Sequence, residues 1–159
     1  MEQIINFYKI TKIQNNNYDF KNIFMYFDGS YSPKQPHAGT CCFIQNSGIV
    51  ITGTVIKNPT NNRAEISALI SGLKYCNVLL SKGETIKTIN IFGDSLWVMN
   101  SVLNIWKGTK NTDLIKLAKH EISKLQNIKI NFYHVRGHTG IEGNEICDKY
   151  SKIACSGNY

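Results

Sequence analysis

No run of apolar residues in the 159-residue chain approaches the roughly 20 that a membrane-crossing helix needs, so none is expected. C-x-x-C spacing is also missing. The five cysteines (Cys41, Cys42, Cys76, Cys147, Cys155) are odd in number, which argues against both structural zinc and a disulfide framework. Glu2 and Asn6 interrupt the apolar residues at the N-terminus, so a secretory signal is not expected either. The expected setting is intracellular, cytoplasmic or nuclear, with reduced and mostly buried thiols. No internal repeat is visible. Acids are scarce: 11 Asp and Glu stand against 18 Lys and Arg, a formal charge of +7. That balance favours a polyanionic partner, nucleic acid first.

What is there fits one domain with its own core. Ile23 to Phe27 is an apolar run without alternation, the pattern of a strand buried on both faces, and it ends in Asp28-Gly29-Ser30. Two β-rich runs follow, Thr40 to Gln45 and Ile49 to Ile56, joined by the hairpin signal Asn46-Ser47-Gly48. Asn61 or Asn62 is placed to cap a helix whose Ile66, Leu69, Ile70 and Leu73 make a core-facing stripe.

A strand from Thr88 to Phe92 ends in Gly93-Asp94-Ser95. A helix to about Asn104 follows, with Trp97, Val98, Val102 and Leu103 as its apolar side. A third helix is expected from Asp113 to Leu125, a strand from Ile128 to Val135 and a closing helix from Glu142. This order predicts a mixed α/β sheet flanked by helices. Residues 1–21 stand apart. Ile4, Ile5, Phe7, Tyr8 and Ile10 suit a short strand and Asn15-Asn16-Asn17 a linker; an added edge strand, a flexible arm and a targeting peptide are all compatible.

Asp28 and Asp94 each fall just past an apolar strand, where open α/β sheets bind ligands. On parallel neighbouring strands such carboxylates lie roughly 5 Å apart and repel unless a cation sits between them. Glu65 lies in the first turn of one helix and Asp148 early in another. Any one of these is equally well a cap or a turn residue. All four together suit a hard divalent cation, most naturally Mg²⁺. His138, in the glycine-flanked loop Arg136-Gly137-His138-Thr139-Gly140, is suited to moving a proton near neutral pH. A basic protein with a compact acidic centre suits two-metal phosphodiester hydrolysis.

These motifs are Phe27-Asp28-Gly29-Ser30, Thr60-Asn61-Asn62-Arg63-Ala64-Glu65, Asp94-Ser95, Val135-Arg136-Gly137-His138 and Asn144-Glu145-Ile146-Cys147-Asp148. In this order the chain from residue 23 to about 155 resembles the type 1 ribonuclease H family. The resemblance implies a ribonuclease H-like fold, a five-stranded mixed sheet flanked by helices, with residues 22–159 as the catalytic domain. It implies metal-dependent endonucleolytic cleavage of the RNA strand of an RNA–DNA hybrid, leaving 5′-phosphate and 3′-hydroxyl ends. Two Mg²⁺ ions, replaceable by Mn²⁺, would be held by Asp28, Glu65, Asp94 and Asp148, and His138 would assist proton transfer or product release. Asn61 and the backbone of Gly29 and Ser30 would follow the minor groove. Thr60, Asn62 and Arg136 would meet phosphates, and Trp106 would line the DNA-strand channel.

Two departures stand out. Leu96 follows Asp94-Ser95 where relatives commonly carry a polar residue, and Trp106 to Thr112 is short where many carry a basic protrusion. A hybrid-binding module without catalysis and a domain of a reverse transcriptase-type element are the alternatives. A monomer is the default expectation.

Overall fold

The computed structural model describes residues 5–137 and 139–157. The elements are β1 (Ile5–Lys12), β2 (Asn22–Ser30), β3 (Ala38–Ile44), β4 (Ile49–Val55), α1 (Asn61–Ser81), β5 (Thr88–Gly93), α2 (Leu96–Val102), α3 (Thr112–Ser123), β6 (Lys129–His134) and α4 (Glu142–Ser156). They form one mixed sheet in the order β1-β4-β3-β2-β5-β6, with β2, β5 and β6 parallel and the other pairs antiparallel.

The sheet has six strands where five were expected. The extra one is β1, which pairs antiparallel with β4, Lys12 opposite Ile49. The asparagine-rich stretch after it is a strap rather than a loose linker. Ile13 and Gln14 donate backbone N–H bonds to the Gly48 carbonyl at 2.8 and 3.1 Å. The Gln14 amide donates to Glu142 Oε1 at 2.7 Å, and the Asn16 amide to the Gln45 carbonyl at 2.8 Å. Ile13 packs with Tyr26, Ile146 and Tyr150 around a small core of Cys41, Phe43, Val50 and Cys147.

The principal core lies between the sheet and α1, α2 and α3. The expected stripe of Ile66, Leu69, Ile70 and Leu73 is fully buried against Ile23, Met25 and Phe27. α4 packs on the opposite face, against β3, β2 and β4. This overturns the expectation of a first strand buried on both faces. Phe24 is 40% exposed because α4 sits towards the β3–β4 side and leaves the lower part of β2 bare. Leu103 also departs from expectation: α2 ends at Val102, and Leu103, its C-cap, is exposed. All five cysteines are free and buried.

Candidate active site

Asp28 occupies the last turn of the pleat in β2, two residues before the strand ends, and its Oδ1 accepts the Gly29 N–H at 2.8 Å. Gly29 lets α1 come close: a Cβ there would lie 2.4 Å from the Ala64 carbonyl carbon and the Glu65 nitrogen. That contact delivers Glu65 to the strand end. Asp94 follows β5, the parallel neighbour of β2. Ser95 then caps α2 by accepting the Val98 N–H at 3.2 Å, and its hydroxyl also bonds the Glu65 carboxylate.

One carboxylate oxygen each from Asp28, Glu65 and Asp94 lie within 4.8 Å of one another. Burial first, then repulsion from Asp94, pushes the Asp28 carboxyl up to about 8. Burial does the same to Glu65, up to about 7, with Asp94 adding and the Ser95 hydroxyl opposing. Among the described residues none of the three makes an ion pair with a lysine or arginine. An all-oxygen set in which burial and repulsion raise the Asp28 and Glu65 carboxyls fits a divalent cation such as those carboxylates ordinarily ligate.

The fourth expected acid stands apart from this group. Asp148 lies in the second turn of α4, near enough to raise Asp28 slightly, but its Oδ2 is taken by Lys152 Nζ at 2.9 Å. His138 lies outside the described residues. Its neighbour Gly137 is placed against the cluster: a Cβ there would meet Asp94 Oδ2 at 2.9 Å. The loop that bears the histidine therefore begins at the carboxylates.

The expected substrate contacts are scattered around this centre. Gly29 and Ser30 are half-buried at the end of β2, while Thr60, Asn61, Asn62 and Arg136 are exposed. The helix cap is Thr60, not Asn61 or Asn62; its hydroxyl accepts the Arg63 N–H at 3.1 Å. Asn61 is instead drawn to the neighbouring loop, where its Oδ1 accepts the Tyr31 N–H at 3.0 Å. Trp106 is 49% exposed and lines a cleft of about 230 Å³ with Lys107, Lys116 and Lys119. Leu96 is exposed beside the site.

Several participants escaped sequence reasoning. Lys116 and Lys119, three apart on α3, line the same cleft as Trp106. His134 shares an Nε2 hydrogen bond with the Asp94 carbonyl at 3.1 Å. Arg63 is buried and forks onto Asp113 with two bonds of 3.0 Å, while also donating to Asn111 Oδ1 at 3.2 Å and the Lys57 carbonyl at 3.3 Å. A basic residue with an acid fifty positions away leaves no periodic signal. The lysine pair on α3 leaves one local signal that could have found it, two like charges at i, i+3 on one helix face.

Comparison with known proteins agrees with this geometry. The RNase H family model matches residues 20–156. The chain is 30% identical over 148 residues to a ribonuclease H of Caldicellulosiruptor saccharolyticus, spanning 83% of this chain and 94% of that one. It is 36% identical over 103 residues to ribonuclease HI of Haemophilus influenzae, spanning 58% and 62%. The solved RNase H1 of the archaeon Halobacterium salinarum superposes with a TM-score of 0.61 at 26% identity, covering 84% of this chain and 96% of that one. With the acids on β2, α1 and β5 gathered into one cluster and the matched region running through α4, the chain belongs to the RNase H family.

Proposed function

We propose that the protein is an endoribonuclease that hydrolyses the RNA strand of an RNA–DNA hybrid by a two-metal-ion mechanism, leaving 5′-phosphate and 3′-hydroxyl ends. The observation that carries this reading is the triad of carboxylates within 4.8 Å, drawn from three elements and without a basic partner among the described residues. Asp28, Glu65 and Asp94, with Asp148 once released from Lys152, would hold Mg²⁺, for which Mn²⁺ can substitute. Bound there, divalent cations supply a water nucleophile at neutral pH and offset charge on the departing oxygen.

The protein's own groups do the rest. The Gly29 N–H bond holds Asp28 Oδ1 in place, and Ser95 fixes Glu65. His138 is assigned proton transfer or product release rather than metal binding. Gly29, Ser30 and Asn61 border the cluster where the ribose 2′-hydroxyl separates RNA from DNA. Thr60, Asn62 and Arg136 are assigned to phosphates and Trp106 to the DNA strand, a reading of sugar and backbone rather than bases. No described helix is long and apolar enough to cross a membrane. Residues 22–159 act as the catalytic domain in a monomer, in the cytoplasm or nucleus, with β1 and the strap extending its sheet.

The test is incubation of the protein with end-labelled RNA–DNA hybrid, duplex DNA and duplex RNA, with Mg²⁺, with Mn²⁺ and with chelator. Metal-dependent cutting confined to the RNA of the hybrid is expected. Retention of hybrid without cutting would instead make the chain a binding module.

A further inference from the structure

The half of the sheet that α4 leaves bare carries a pattern the carboxylate cluster does not use. Tyr26, Phe92 and Tyr133 lie in one cross-strand row over β2, β5 and β6. Their rings stack nearly parallel, Tyr26 on Phe92 and Phe92 on Tyr133, each pair with centroids 4.9 Å apart and tilted by 19° and 17°. Phe24 joins below, its ring centroid 6.5 Å from that of Phe92. The row stops at Tyr133, on the edge strand, with the side chain 45% exposed. It is a stack open at one end.

Asp28 follows Tyr26 by two residues within β2, which places both on the same side of the sheet, and Asp94 follows Phe92 by two just past the end of β5. The aromatic row is thus the next row down from the catalytic acids. Below it the Asn131 amide donates to Asn90 Oδ1 at 3.1 Å, and Lys129 stands opposite Thr88 in the last row. Exposed rings beside a lysine suit base stacking and a phosphate contact. The surplus of +7 favours the same partner.

We propose that this row is a docking platform for an unpaired RNA or DNA strand continuous with the hybrid, the first base extending the ring stack on the outer face of Tyr133. The proposal rests on the ribonuclease H reading for its continuity with the catalytic centre. Stacking on aromatic side chains is tolerant of sequence, so the platform reads strandedness rather than base identity.

The experiment compares a short blunt hybrid with the same hybrid bearing a single-stranded extension on either end, cut by wild type, Tyr133→Leu and Tyr133→Phe. One extension is expected to lower the wild-type KM roughly tenfold with kcat unchanged. Tyr133→Leu loses that advantage and treats the blunt hybrid as wild type does; Tyr133→Phe keeps it. Extensions without effect on KM, or a Tyr133→Leu defect equal on blunt and extended hybrids, would overturn the platform. Fluorescence anisotropy of labelled oligouridylate in chelator tests the platform without catalysis. Tyr133-dependent binding by a protein that cuts no hybrid would uphold the platform and sink the ribonuclease reading. Hybrid cutting with no such binding would do the reverse.

Discussion

Two residues apart near the start of α1, Arg63 in its first turn and Glu65 just past it enter opposite electrostatic settings. Arg63 reaches across to α3 and meets Asp113 in a two-pronged pair, and that hydrogen bond to the guanidinium holds the Asp113 carboxyl below its usual range. Glu65 enters a group of acids with no such partner among the described residues, where burial and Asp94 push it upward. The first site carries its own cation and joins two helices. The second has negative charge in excess of anything the described residues offset, so its charge must be balanced by protons or by a metal. An acid with a built-in partner is structural; acids held together without one are poised to bind.

The sharpest way to break this contrast is to neutralise the cluster. Asp28→Asn and Asp94→Asn are each expected to lower metal-dependent cutting of the hybrid by about a thousandfold or more, roughly 4 kcal/mol of barrier. Wild-type rates from either variant in an end-labelled assay would show that the cluster is not the metal site.

The second test uses pH in the metal-free protein. The Asp28 carboxyl rises from 3.8 to about 8 on folding, so between those values the folded state holds more protons than the unfolded one. Stability is fully present below about pH 4 from this group and is lost as pH climbs towards 8. Glu65 adds the same sign up to about 7. Asp113 runs the other way, its contribution present above the unfolded carboxylate value and lost as pH falls through the lowered one. Urea midpoints in chelator should therefore fall from about pH 5 to about pH 8.5 by an amount equivalent to a few kcal/mol, and Asp28→Asn should remove most of that slope. A flat wild-type profile would contradict the reading of an uncompensated cluster.

Breaking the compensated site should cost less. Arg63→Met is expected to destabilise the fold by about 2 kcal/mol, measured by denaturant unfolding, because the bonds to Asn111, Asp113 and the Lys57 carbonyl go together. Arg63→Lys should recover only part, since an ammonium cannot fork. The smallest effect is expected at Lys152, an exposed partner one helical turn from Asp148. Lys152→Ala should change stability by less than about 0.5 kcal/mol. It should also strengthen metal binding a few-fold in calorimetric titration by freeing Asp148, and weaker binding would show that Lys152 orders the acid rather than occupying it.

Local pattern made much of this site legible. The places of Asp28 near the end of β2 and of Asp94 just past β5 follow from apolar runs broken by Gly and Ser, and the structure supplies the parallel pairing of the two strands on which their approach depends. Other features had no local signature. Asn61 looked as good a cap as any, yet its amide oxygen is claimed by the Tyr31 backbone, leaving Thr60 to cap. The exposed face of β2 was illegible for a similar reason, since Phe24 and Tyr26 are apolar whether or not a helix covers them. The asparagine-rich strap read as linker because amides are satisfied equally by water or by distant partners such as Glu142.

The sequence by itself determined the order of elements, the core stripe of α1 and the four acids with their loop histidine, because periodicity and strand-ending turns are local properties. Tertiary structure alone decided that β1 closes onto β4, that Arg63 finds Asp113, that Asp148 stands aside with Lys152 and that an aromatic row lies open below Asp28 and Asp94. Each of these depends on partners brought together across the sheet or by the placement of α4. Which groups burial and pairing then leave charged or bare is a property of the packed whole.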